Sequence, residues 1–525
     1  MNLINDPWIP IRRVSGRQER IAPWQLTEAD DPILAVAAPR PDFNGSLMQF
    51  LIGLLQTTSV PTNDESWAEW LEIPPSPETL RARFAPFASA FELDGDGPRF
   101  MQDFEELERE SKAIDALLID APGGKSLRDN TDHFIKRDTI SSVCPACVAI
   151  ALFTLQTNAP SGGVGHRTSL RGGGPLTTLV SLDPAGSQLE ETLWRNLWLN
   201  VLGLGSLGPR AGEAVDAPTA DVFPWLAPTR TSEAKTGRET TPRDVHPLQM
   251  YWGMPRRIRI DWQIQQQGQC DICAAEDVPL VIRYVTRNYG IKYTGPWQHP
   301  LSPYYIDARS GEPLPLHAQS DGFSYRHWPG WVEGTERVRP ALVVRAFQTN
   351  EARRLPSEQL RLWVFGYDMD NMKPRCWYES ATPLIIILDE TQRITFGRRV
   401  KQMVDAAEQA AAAAQKHIKE AWFKRPGDAR GDTAYLKEDF FQRTETDFYN
   451  LLPELKAAVE KGNDADIVNR WQQIVHHAAM RLFEDHAARG DIAFSDPRRI
   501  VTAQANLKKA LNKLLKRVGY EEKAA

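Results

Sequence analysis

Two Cys-x-x-Cys motifs, Cys144-Pro-Ala-Cys147 and Cys270-Asp-Ile-Cys273, constrain this chain more than any other feature. A thiolate pair at that spacing takes two corners of a tetrahedron. Two such pairs close a four-sulfur shell and leave no position for water or substrate, which is the form of a structural zinc site. Residues 148–269 lie between the motifs, far more than a zinc ribbon encloses. A shared ion would therefore staple two regions that are remote in sequence. The expectation is one structural zinc ion held by Cys144, Cys147, Cys270 and Cys273. Two unrelated surface turns are the alternative. A redox pair is disfavoured because no thioredoxin-like βαβ pattern adjoins either motif. Cys376 is left over and reads as structural.

The thiol argument needs a reducing compartment. The opening Met1-Asn2-Leu3-Ile4-Asn5-Asp6 has neither the basic nor the apolar region of a signal peptide. The longest apolar runs, such as Cys147–Phe153 and Leu384–Leu388, are too short to span a bilayer. The reading is a cytoplasmic protein with no membrane contact, in which paired cysteines point to metal. The 525 residues exceed one ordinary core and suggest two or three domains, with 42% hydrophobic and 25% charged residues in the globular range. The formal net charge is −6. Any nucleic-acid contact must then come from local patches or from charge supplied by partners.

The patterning changes along the chain. Phe43 to Gln56 carries Leu47, Phe50, Leu51 and Leu54 at helical spacing, which predicts a buried helix. A polar loop spans 121–143, a helix Val148–Gln156, and two glycine-rich stretches follow at Ser161–Gly165 and Gly172–Gly174. Between about 176 and 390 short β-branched runs alternate with turns: Thr177–Leu182, Arg257–Trp262, Leu280–Val285, Ala341–Phe347 and Leu384–Leu388. Residues 211–244 read as a mobile loop. After about 395 four amphipathic helices follow, with stripes such as Ile467, Trp471, Ile474, Val475, Ala478, Leu482 and Ile500, Ala503, Leu507, Leu511. Short connections make an antiparallel four-helix bundle. The expected fold class is α+β: a large mixed α/β domain over 1–394 with the zinc-stapled region, then the bundle over 395–525.

Enzyme signatures fail on inspection. Gly123-Gly124-Lys125-Ser126 imitates a P-loop, but Ile119 stands where the first glycine belongs. Gly203-Leu-Gly205-Ser-Leu-Gly208 matches GxGxxG without a preceding strand, and Pro209 interrupts any following helix. No histidine is followed two residues later by glutamate, and no HExxH occurs, which removes deaminase and metalloprotease readings. A non-enzyme is expected.

One ordered series of motifs remains. Asn2-Leu3 with Asp6-Pro7-Trp8-Ile9-Pro10 opens it, and Cys144–Cys147 followed by Ala149-Ile150-Ala151-Leu152-Phe153 continues it. Ala159-Pro160 with the glycine loop, Ser169-Leu170-Arg171-Gly172-Gly173 and Trp297-Gln298-His299-Pro300-Leu301-Ser302-Pro303 complete it. In this order they resemble the CasA family, the large subunits of the type I-E CRISPR surveillance complex Cascade, over nearly the whole length. The resemblance implies a non-catalytic subunit that works with guide RNA, other Cascade subunits and double-stranded target DNA. It implies recognition of a protospacer-adjacent motif, help in strand separation, and a docking surface for a separate helicase–nuclease in antiviral defence. In RNA-guided recognition the guide carries sequence and the protein reads only the short flanking motif, while strand exchange is nearly balanced in energy. The alternative is a zinc-stapled scaffold that binds only protein partners.

The resemblance also implies roles for residues. The motif-reading loop falls on Ser161, Gly162, Gly163, Val164 and Gly165; family relatives can carry an aromatic there, and this chain has none. The strand-separating wedge, a hairpin tip after Gly366-Tyr367, falls on Met369, Asp370, Asn371 and Met372, with an aspartate that phosphate would repel. A basic finger after the second cysteine pair has Arg287, Asn288 and Lys292 as candidates, Arg287 foremost. The loop that meets the guide RNA and neighbouring subunits carries Lys125, Arg128, His133, Phe134, Lys136 and Arg137. Lys508, Lys509, Asn512, Lys513, Lys516 and Arg517 lie off the apolar stripe of the last helix, as either a backbone-tracking or a solvated face.

Overall fold

A computed structural model describes residues 1–525 apart from 109–110, 122–138, 164, 186–188, 209–214, 263–264, 351–352, 354, 356–358, 371–372, 429–430, 488–495 and 522–525. The chain divides into two units, Met1–Ser320 with Arg337–Leu384, and Asp321–Glu336 with Ile385–Ala525.

The first unit grows around the helix anticipated at 43–56, which runs from Pro41 to Thr58 (α1). A helix apolar on all sides must be enclosed on all sides, and α1 is buried from Phe43 through Thr57 except at Asn44. Phe50 is its hub. Trp8, Phe91, Phe100, Phe153 and Trp252 meet its ring edge-to-face at 5.1–5.9 Å. Each such pair adds about 0.5–1.5 kcal/mol beyond area burial.

Three antiparallel strands, β1 (Ile9–Arg13), β2 (Gln18–Ile21) and β3 (Ile33–Val36), form a small sheet in the order β2-β1-β3. The helix Pro145–Asn158 (α2) lies against α1, with the Thr154 hydroxyl donating to Ser46 Oγ at 2.8 Å. Strand β4 (Thr177–Leu182) is followed by β5 (Arg257–Ile260), β6 (Val278–Val281) and β7 (Arg283–Arg287). The longest strands, β8 (Leu360–Asp370) and β9 (Lys373–Pro383), make a hairpin whose first strand also pairs with β4.

Two of the anticipated β runs are something else. Ala341–Phe347 is the N-cap and most of a helix, Leu342–Thr349, that buries Val343, Val344 and Phe347 on one face. Leu384–Leu388 forms no strand; Leu384–Ile387 are nonetheless buried. The described part of 211–244 is tied down rather than free: Glu239–Thr240 pairs in parallel with Lys292–Tyr293, and Ser232 N donates to Tyr289 O.

In the second unit the helices are α3 (Glu390–Trp422), α4 (Tyr435–Lys461), α5 (Ala465–Ala487) and α6 (Pro497–Glu521). Their polar contacts give the directions. Glu454 of α4 meets Arg470 of α5 while Asp439 meets His486, so these two run antiparallel. Arg499 of α6 donates to the carbonyls of Ala421 and Trp422 at the end of α3, again antiparallel. Trp471 donates to Met403 O, and Trp422 to His486 O, so α3 and α5 run the same way, as in an up-down-up-down bundle. Asp321–Glu336 joins this unit through Tyr325, which stacks on Phe448 at 4.3 Å and shares a 2.8 Å hydrogen bond with Thr444. No helix among the described residues is long and apolar enough to cross a membrane.

Candidate metal centre and nucleic-acid interface

The four cysteines come together. Pro145 occupies the first helical position of α2, where its missing N–H costs nothing. That places Cys144 as the N-cap and Cys147 in the first turn. Cys270 and Cys273 sit on the turn before β6, which Ala274 and Asp277 close in left-handed conformations, φ +56° and +50°. All four sulfurs lie within 4.8 Å of one another, and Cys144 Sγ is 3.7 Å from Cys273 Sγ. Sulfurs about 2.3 Å from a tetrahedral ion sit about 3.8 Å apart, so the donor set fits one metal ion.

The surroundings fit as well. Cys144 N donates to Cys270 Sγ at 3.3 Å. Arg20 of β2 places Nη2 3.0 Å from Cys273 Sγ and 3.6 Å from Cys144 Sγ. Four thiolates about a divalent ion carry an excess of negative charge, which this guanidinium offsets. Burial opposes the charge on Arg20, yet the negative cysteines hold its pKa above the ordinary value. The Asp271 carboxylate accepts from the amides of Ser141 and Ser142 at 2.7 and 2.8 Å, and Val143 bridges Val281, so the two knuckles are also joined by backbone. Arg20 carries no sequence signal: it is one arginine on a short strand. Cys376 is not structural in the expected sense, since it is exposed on β9, away from the cluster.

The glycine loop begins where α2 ends. Ser169 N donates to Ala159 O at 2.9 Å and Gly174 N to Asn158 O at 3.0 Å, which closes residues 159–174 into a compact loop. Its two glycine stretches face different neighbours. Gly165 has φ +79°, and a Cβ there would lie 2.8 Å from Asn288 Cβ; Tyr289 N donates to Gly165 O at 2.6 Å. Gly174 has φ +60°, and a Cβ there would lie 2.6 Å from Tyr367 Cβ and 2.8 Å from Met369 Cε. Only glycine permits both approaches and both backbone conformations. One loop thus touches the 288–289 turn and the β8–β9 hairpin. Gly163 differs: φ is +74°, but a Cβ there meets nothing within 4 Å. At Gly162 it would come 2.9 Å from Arg256 Nη1. Ser161 is exposed; Val164 lies outside the described residues.

The basic candidates separate. Arg287 ends β7 and is exposed, and Asn288 packs on Gly165. Lys292 is held in an ion pair with Glu239. Arg167 and Arg256, which sequence reasoning missed, buttress the loop. Arg167 lies 5.9 Å over the Tyr289 ring and bonds Ser232, and Arg256 donates to Pro160 O. Arg256 is buried, which lowers its pKa to about 10.

On the hairpin, Asp368 is buried and held bidentately by Arg375 at 2.7 and 2.8 Å. Arg375 Nη1 also lies 3.7 Å from Asp370, so the exposed aspartate that phosphate would repel has a cation beside it. Tyr367 anchors the hairpin to α1 through a 2.6 Å bond to Asp42. Met369 is half-buried against Gly174. Asn371 and Met372, and Lys125, Arg128, His133, Phe134, Lys136 and Arg137 of the long polar loop, lie outside the described residues. On α6, Lys508, Lys509, Asn512 and Lys513 are exposed and Ala503, Leu507 and Leu511 buried, as the stripe requires. The side chains of Lys516 and Arg517 lie outside the described set.

Known proteins bear on this arrangement. Solved structures share the fold at low identity. Thermobifida fusca Cse1 matches with a TM-score of 0.71 at 16% identity, covering 98% of each chain. Thermus thermophilus CasA matches at 0.67 and 18%, covering 98% of this chain and 99% of its own. A chain of a structure described as a CRISPR RNA-guided surveillance complex matches at 0.62 and 15%, with 97% and 99% covered. The family model for CRISPR-associated protein Cse1 matches residues 2–482. The chain belongs to the CRISPR-associated protein Cse1 family.

Proposed function

We propose that this chain is the large, non-catalytic subunit of an RNA-guided surveillance complex, and that its glycine loop reads a short motif on duplex DNA beside the target. Family membership over residues 2–482 supports the subunit role, and so does the likeness to a chain of an RNA-guided surveillance complex. The observation that carries the finer reading is the meeting of three segments. The glycine loop contacts both the turn after Arg287 and the turn end of the β8–β9 hairpin, at Tyr367 and Met369. Side-chain-poor backbone with positive φ presents amides to a groove, the exposed arginine before Asn288 supplies charge, and the hairpin packed on the loop's other glycine stretch enters at the first base step. Because strand exchange is evenly poised, a few kcal/mol from this contact decide whether the duplex opens.

Within the complex, guide RNA and neighbouring subunits engage the basic loop at 125–137, and a separate helicase–nuclease docks on the assembled particle. The metal is zinc: four thiolates in a closed tetrahedral set suit it best, and they give it a structural task. The alternative scaffold reading gives the chain no share in DNA affinity.

Gly163 is the position that tests the loop. A side chain there reaches open space rather than protein, so Gly163→Glu adds bulk and negative charge to the exposed crest without disturbing the buttress. Gel shifts of the assembled complex on duplexes with varied flanks should show motif-dependent binding lost in Gly163→Glu with assembly intact. Unchanged discrimination in that variant would falsify the loop assignment.

A further inference from the structure

The motifs around Arg171 and His299 belong to neither the metal centre nor the loop crest, yet they meet in the interior. Arg171 is 3% exposed. Its guanidinium donates to Thr177 Oγ1 at 3.1 Å, to Ser302 Oγ at 3.0 Å and to Gln49 Oε1. All three acceptors are neutral, and no carboxylate among the described residues faces it. Burial lowers its pKa only to about 10, so it stays charged at neutral pH. A buried charge without a counter-charge is strongly unfavourable, and proteins almost always pair one.

Beside Arg171 is a small cavity of about 20 Å³, lined among others by Tyr251, His299, Gln156 and Met250. The Tyr251 hydroxyl is buried and bonded to nothing among the described residues. His299 Nδ1 accepts from Leu301 N at 3.2 Å, and burial holds the ring well below its usual pKa. The neutral ring therefore carries its proton on Nε2 and is a donor there. Arginine has five N–H groups, and three of Arg171's have protein acceptors. Alongside the amides of Gln49 and Gln156 and the hydroxyl of Ser169, the cavity is lined by three side chains that donate: a guanidinium, a phenol and an imidazole. Their common complement is an anion.

We propose that this cavity binds one monatomic anion of the halide class, chloride under ordinary conditions, between the Arg171 guanidinium and the Tyr251 hydroxyl. Volume sets the class. A space of this size takes one water-sized particle, which favours a monatomic ion over a larger oxyanion. Water of the same size satisfies the hydroxyl but leaves the arginine uncompensated. The ion neutralises the arginine that pins Ser302 and Thr177, and so fixes the root of the 159–174 loop to the 297–303 segment. This site is independent of the DNA-binding reading.

The test is crystallographic and thermal, on the full chain. Crystals grown in bromide should give an anomalous peak between Arg171 and Tyr251. Melting in sodium chloride should exceed melting in sodium glutamate at equal ionic strength by about 1–3 °C, and Tyr251→Phe, which keeps the ring and removes the donor, should abolish most of that difference. Arg171→Gln tests the charge, and Tyr251→Phe keeps the proposal testable should Arg171→Gln not fold. A non-anomalous peak typical of water, or equal melting in both salts for the wild-type chain, overturns it.

Discussion

Replacing Gly174 by alanine should loosen the β8–β9 hairpin from the glycine loop, whereas the same change at Gly163 should not. Both glycines have positive φ, +60° and +74°, so both variants carry the left-handed penalty of about 1–2 kcal/mol. They differ in space. The new methyl at 174 would stand 2.6 Å from Tyr367 Cβ and 2.9 Å from Tyr367 O, and backbone cannot rotate away as a side-chain tip can. Overpacking of that kind adds about 1–3 kcal/mol, for a total of about 2–5 kcal/mol against about 1–2 at 163. Hydrogen exchange followed by mass spectrometry reads this locally. Amides of 366–370 should exchange at least about tenfold faster in Gly174→Ala and remain near wild-type rates in Gly163→Ala. Equal protection in the two variants would refute the claim that loop and hairpin are packed as one body.

Other outcomes follow from the same geometry. Elemental analysis of the purified chain should give about one zinc per molecule, and Cys273→Ser should lose the metal and lower the melting temperature; loss of metal with unchanged melting would remove its structural role. Phe50→Ala deletes the hub of five edge-to-face contacts and should cost about 3–5 kcal/mol in urea denaturation, while a cost under about 1 kcal/mol would contradict the packing. Burial pushes the Glu333 carboxyl up to about 8, with Oε1 sealed and unbonded. The folded state then holds a proton that the unfolded state has released, so this group's contribution is complete below about pH 4.5 and is lost as pH rises to about 8. Glu333→Gln should flatten that decline by about 1–3 kcal/mol; an unchanged pH profile of melting would show that the carboxyl is solvated.

The four-cysteine cluster and the C-terminal helices were legible because their signals are local. Two thiolates three residues apart announce a ligand pair, and stripes such as Ile467, Trp471, Val475 and Leu482 repeat over several turns. Short runs defeat the same reasoning. Ala341–Phe347 has β-branched Val343 and Val344, and only the further spacing to Phe347 betrays the helix that buries all three. Lys292 looked like a free cation until Glu239, remote in sequence, was placed beside it. The closing of 159–174, its contacts to Asn288 and Met369, and the counter-charge from Arg375 to Asp370 are tertiary facts with no local pattern. Glycine content marked the loop; it did not say what the loop touches.

The decisive measurement is a binding selection on target duplexes with randomised flanking bases, using the guide-loaded complex assembled with this chain, with its Gly163→Glu variant, and without it. Enrichment of a short flanking motif with the wild-type chain, lost in both other arms, is the result expected here. The same flanking preference from particles lacking the polypeptide would place motif reading elsewhere.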